Sequence, residues 1–122
     1  EVDVAQLREQ QRKALHVLAY MMLRMGQLDR AGRIYAALAV LAPQNAPDRL
    51  ALAGVASVAI SAGDGTGALD ALRTAMSGAA LSSRQAVLHL MKAQALWLEG
   101  RREEARASLD EYLFLAGGGR SA

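Results

Sequence analysis

Cysteine is absent from this chain, which excludes disulfide scaffolds, thiolate metal sites and thiol catalysis. Proline occurs only twice, aromatic residues make up 4% of the 122 positions, and β-branched residues are scarce. A sequence so poor in strand formers does not favour a sheet. Long apolar runs are missing too, because Arg, Asp or Gly interrupts each one before the ~18 residues that a membrane span requires. No segment reads as a signal peptide. What is abundant is Ala (26 residues) and Leu (19), in a chain that is 52% hydrophobic. Both side chains lose little entropy in a helix, so composition predicts one small all-α domain.

A large charge of one sign is also lacking. The 14 basic and 12 acidic residues leave a net charge of +2, and 12 of the basic residues are Arg. The pI of 9.4 reflects that small excess. The arginines are scattered, as at Arg8, Arg30, Arg49, Arg73 and Arg84, and the compact pair Arg101-Arg102 is followed by Glu103-Glu104. Phosphate binding needs a cluster of neutralising charges, so solvated helix faces are expected here, with no nucleic-acid partner.

Against this background a repeat stands out. Gly26, Gly63 and Gly100 are 37 residues apart, as are Ala31, Ala68 and Ala105, and Ala19, Ala56 and Ala93. Tyr35, Leu72 and Leu109 add a bulky column in the same register. Each unit reads as two helices joined at the Gly, since a helix C-terminus favours a left-handed residue where a Cβ costs energy. The small Ala columns let the paired helices approach closely. The pattern predicts helices over roughly 4–25, 28–41, 47–62, 66–78, 83–99 and 102–116. Pro43 follows the second helix, Pro47 is expected in the first turn of the third, and Ser82-Ser83 offers an N-cap to the fifth. The domain is expected to span 1–116, with repeats near 12–45, 49–82 and 86–119 and a flexible tail at 117–122.

The first unit, from Leu18-Ala19 through Met22, Gly26, Leu28, Ala31, Tyr35 and Leu38 to Pro43, resembles the tetratricopeptide repeat. The second and third keep Ala56, Gly63, Ala68 and Leu72, then Ala93, Leu96, Gly100, Ala105, Leu109 and Tyr112. The period of 37 departs from the family's 34. Lys92 stands where a Leu is usual, a departure that allows the fifth helix to sit rotated or shifted by a residue. The resemblance implies three helical hairpins stacked as a short right-handed solenoid, with the first helix of each lining a concave ligand face. By register, that face carries His16, Tyr20, Leu23 and Arg24 from the first repeat. Leu50, Ala53, Ser57 and Ile60 come from the second, and Leu90, Gln94 and Trp97 from the third. An apolar groove with aromatics suits an amphipathic helix or an extended apolar segment. The blander alternative is that Tyr20, Leu23 and Trp97 pack against their own neighbours. Met21, Met22 and Met25 are expected mainly as core filler, Met22 above all.

Chemistry finds little to work with. His16 and His89 lie on different helices without ligand-spaced partners, and His89 occupies a packing position. Glu103-Glu104 and Asp110-Glu111 read as exposed helix charges rather than a convergent acid–base pair. Gly63 to Gly67 lacks the Lys-Ser/Thr ending of a phosphate loop and reads as a repeat turn. The chain is therefore expected to be neither an enzyme nor a holder of metal or cofactor.

A narrower resemblance follows from Gln10-Gln11 before the first repeat, Leu41-Ala42-Pro43 at its end, and Ala105-Arg106 followed by Tyr112-Leu113-Phe114-Leu115. These motifs are similar to those of the YscY-type chaperones of bacterial type III secretion. The resemblance implies a cytoplasmic chaperone for a small secreted YscX-like partner, paired 1:1 and docking on the cytoplasmic domain of the export gate. A secreted chain held unfolded has apolar segments that need cover, and a curved groove supplies it. The competing readings are a class II translocator chaperone and a generic tetratricopeptide scaffold.

Overall fold

The structure, a computed structural model, describes residues 4–43, 45–77 and 85–117. Six helices follow in order: α1 Val4–Arg24, α2 Leu28–Leu41, α3 Arg49–Ser61, α4 Gly65–Ala75, α5 Val87–Leu98 and α6 Arg102–Ala116. Among the described residues there is no strand. Each helix packs on its chain neighbours, and α1 also touches α3, as α3 touches α5.

The repeated Gly has the conformation its position requires. Gly26, Gly63 and Gly100 sit at φ +79°, +78° and +75°, with open space where a Cβ would point. The amide after each Gly donates back across the helix end: Gln27 N–H to the Met22 carbonyl at 2.8 Å, Asp64 to Ala59 at 2.8 Å, and Arg101 to Leu96 at 2.9 Å. These bonds satisfy carbonyls that the ending helix would otherwise orphan. Ala42, the last residue before Pro43, is extended, which the proline ring demands of its predecessor.

Packing follows the small-residue columns. Ala19, Ala56 and Ala93 are buried, as are Ala31, Ala68 and Ala105. Two buried clusters result, one of Ala19, Ala31 and Tyr35 and a larger one of Ala56, Ala68, Ala71, Leu72, Ala75, Leu88, Met91 and Ala95. Ala93 is buried and Gly100 closes α5 at positive φ, so Lys92 leaves that helix in register.

Several local expectations are corrected. Pro47 lies outside the third helix, because the Asp48 carboxylate takes the N-cap and accepts the Ala51 amide at 3.0 Å. α4 ends at Ala75 rather than near 78, and α5 begins at Val87, with the Ser82-Ser83 cap outside the described residues. Residues 118–122 of the expected tail are also outside them. Met22 packs on the first cluster as expected, but Met21 and Met25 are exposed. Leu109 departs from its column: Tyr35 is 4% exposed and Leu72 1%, whereas Leu109 is 39% exposed.

Candidate functional site

The expected groove residues separate into two environments. His16 is drawn into a cluster that ties α1 to the start of α3. Its Nε2 lies 2.8 Å from Asp48 Oδ2, and Arg12 pairs with the same carboxylate while donating to the Leu38 carbonyl at 3.0 Å. Nδ1 of His16 is buried without a hydrogen-bond partner, which favours the tautomer with its proton on Nε2, donated to Asp48. Burial by itself would raise the Asp48 pKa. The Ala51 amide, His16 and Arg12 outweigh it and hold the carboxyl below its ordinary value. His16 therefore fastens one hairpin to the next. Leu23 and Ala53 are also partly buried and pack on the two clusters.

The other environment is open. Tyr20 on α1, Leu50 on α3 and Trp97 on α5 are 56%, 65% and 60% exposed. Arg24 is exposed as well, and Ser57 is half-buried. Four of the expected residues, Ile60, Leu90, Gln94 and Trp97, line one cavity of about 870 Å³. The structure does not bring Tyr20, Leu23, Arg24 or Leu50 to it. The opposite wall comes from α6, through Arg102, Glu103, Ala105, Arg106 and Leu109. Register reasoning confined to the first helix of each hairpin missed this wall. Leu109, exposed in an otherwise buried column, marks this wall.

The charged side chains at this cavity are Arg102, Arg106 and Glu103. The Arg102 guanidinium sits 5.1 Å above the Trp97 ring, a cation–π distance. Arg101, the residue just before α6, is instead paired with Glu104 in that helix's first turn. Beyond the wall, burial lowers the His89 pKa, reinforced by Lys92 and opposed by Glu111, so the imidazole is favoured neutral. Asp64 caps α4 by accepting the Gly67 amide at 2.9 Å, which makes Gly63 to Gly67 a turn and a helix start.

No group of three or more His, Asp or Glu side chains is arranged to hold a metal ion among the described residues. Nor is any helix among them long and apolar enough to cross a membrane. The molecule is defined so far as an all-helical protein with exposed aromatic and aliphatic side chains on α1, α3 and α5 and an apolar cavity at its C-terminal hairpin. Comparison with family models, curated proteins and solved structures returns no match.

Proposed function

We propose that this chain is a protein-binding module of the tetratricopeptide kind, which covers an apolar segment of a partner chain along α1, α3 and α5. The observation that carries the reading is the exposure of Tyr20, Leu50 and Trp97, large apolar side chains on three successive odd-numbered helices. Large apolar side chains left exposed on a protein surface are a common mark of binding sites, where aromatics often act as anchors. The packing supports the same geometry: odd-numbered helices touch one another, while among the described residues the even-numbered ones do not. A stack of hairpins curved with its first helices inward has that contact pattern.

Within this class, the resemblance in Gln10-Gln11, Leu41-Ala42-Pro43 and Tyr112-Leu113-Phe114-Leu115 favours a type III secretion chaperone of the YscY type. Its partner would be a small secreted YscX-like protein, held 1:1 in the cytoplasm and passed to the export gate. The test is co-purification of the tagged chain from its source, with the bound protein identified by mass spectrometry. A small secreted partner supports the reading, and a membrane-active translocator points to the sister chaperone class. The double variant Tyr20→Ala/Trp97→Ala is expected to lose the partner in a calorimetric titration while keeping its far-ultraviolet helicity. Undiminished affinity in that variant removes the groove.

A further inference from the structure

The cavity between α5 and α6 occupies the place where the repeat would seat another helix. Moving back by 37 residues, Arg102 corresponds to Gly65, Ala105 to Ala68 and Leu109 to Leu72. In the hairpin α3–α4 that seat is filled by α5, whose Leu88, Met91 and Ala95 complete the cluster around Leu72. The fit is close: a Cβ on Gly65 would stand 2.7 Å from the Ala95 carbonyl oxygen and 2.9 Å from Glu99 Cγ. In the hairpin α1–α2 it is filled by α3, where Gly54 lies under the Tyr35 ring and Val58 abuts Gly32. The chain thus shows twice how a helix occupies this surface. At the third hairpin the same columns lie open on an apolar cavity.

We propose that this seat takes an amphipathic α-helix of the partner chain, laid across α5–α6 as α5 lies across α3–α4, with a carboxylate near its C-terminal end facing Arg102. The inference rests on the reading of the chain as a protein-binding module and adds a second, helical point of attachment to its groove.

Charge decides the occupant. Where Gly65 receives the end of Glu99, the third hairpin presents the Arg102 guanidinium, and Arg106 stands one turn further on. Neither arginine has an ion-pair partner among the described residues. A carboxylate at the register of Glu99 would meet a cation already oriented over Trp97. A second copy of this chain, offering α1, would bring Met25 to that register with Arg24 beside it. Its charge is wrong for the seat.

The lone Trp lines the cavity, so its emission reports occupancy directly. Two synthetic peptides serve as probes: residues 48–62 of this chain, which form the helix seated on the first hairpin, and the same peptide with Ala62→Glu at the Glu99 register. Added to the full chain, the Glu peptide is expected to blue-shift Trp97 emission to saturation. It should bind about fivefold tighter than its parent at low salt, with the difference fading near 0.5 M salt as screening removes the ion pair. Leu109→Glu and, at an exposed site that leaves the fold intact, Arg102→Glu should each weaken it about tenfold or more. Unchanged Trp97 emission, equal affinity of the two peptides, or full binding by both variants would overturn the proposal. So would self-association in sedimentation velocity that Leu109→Glu abolishes, which would assign the seat to a second copy. The groove is judged separately, because Tyr20→Ala lies away from the seat. If it loses the native partner while neither peptide moves Trp97, the groove stands and the seat falls; the converse result discards the groove alone.

Discussion

Tyr35 and Gly54 exchange volume across the first inter-hairpin contact, a large ring resting where the facing helix has no side chain. A Cβ added at Gly54 would collide with the Tyr35 ring, and that ring is buried. In the next contact the relation is inverted, with Leu72 facing the cluster that holds Met91. Gly54→Ala should gain up to about 1 kcal/mol in helix propensity but lose about 1–3 kcal/mol to overpacking. The expected outcome is a net loss, read as a lower urea midpoint at unchanged m, with part of it recovered by adding Tyr35→Leu. Asp48 carries two roles that separate cleanly. Asn caps a helix as well as Asp does, so Asp48→Asn removes only the pairing to Arg12 and His16, whereas Asp48→Ala removes the cap as well, worth about 1 kcal/mol more. Thermal melts of both variants check the order. Because the Asp48 carboxyl is held below its ordinary value near 3.8, its contribution is fully present above that pH and is lost as the pH falls through the folded value.

At the level of elements, the three positive-φ glycines do the same work in each hairpin, and space is not their reason. Nothing lies within 4 Å of a Cβ at Gly26, Gly63 or Gly100, so a substitution there meets only backbone strain. Gly100→Ala is expected to cost about 1–2 kcal/mol, and Gly100→Asn less, because Asn tolerates the left-handed region better. Chemical denaturation of the two variants measures the difference, and equal losses would show that contacts rather than conformation govern the turn. The helices α3 and α5 have apolar residues around much of their circumference, consistent with lying between neighbours. Buried Ala51, Gly54 and Ala56 on α3, and Leu88, Met91 and Leu96 on α5, are spread over more than one face.

For the whole molecule, stability should follow the number of neighbours each helix has. α3 packs on α1, α2, α4 and α5, whereas α6 packs on α5 alone among the described residues. In a chain of nearest-neighbour contacts the ends open first. Amide hydrogen exchange followed by mass spectrometry should therefore show α3 and α5 as the slowest segments and α6 opening earlier. Uniform protection from α1 to α6 would mean a single cooperative unit instead. The same end effect accounts for the exposure of Met21 and Leu109: their counterparts 37 residues away, Val58 and Leu72, are covered by a neighbouring hairpin, and among the described residues nothing covers these two.

Much of this architecture was legible in the residues themselves. The 37-residue columns of Gly, Ala and bulky side chains located six helices and their turns, because positive φ and close helix approach each select a narrow set of side chains. Proline and cap positions were less legible, since Asp48 rather than Pro47 begins α3 through a hydrogen bond that composition does not reveal. The register named Ile60, Leu90, Gln94 and Trp97, and the fold brought those four to one cavity. Only the tertiary structure drew His16 to Asp48, set Tyr35 over Gly54, and placed Arg102 on Trp97 beside an uncovered Leu109. Periodicity reports which face of a helix is apolar, but whether that face is covered depends on the helix packed against it.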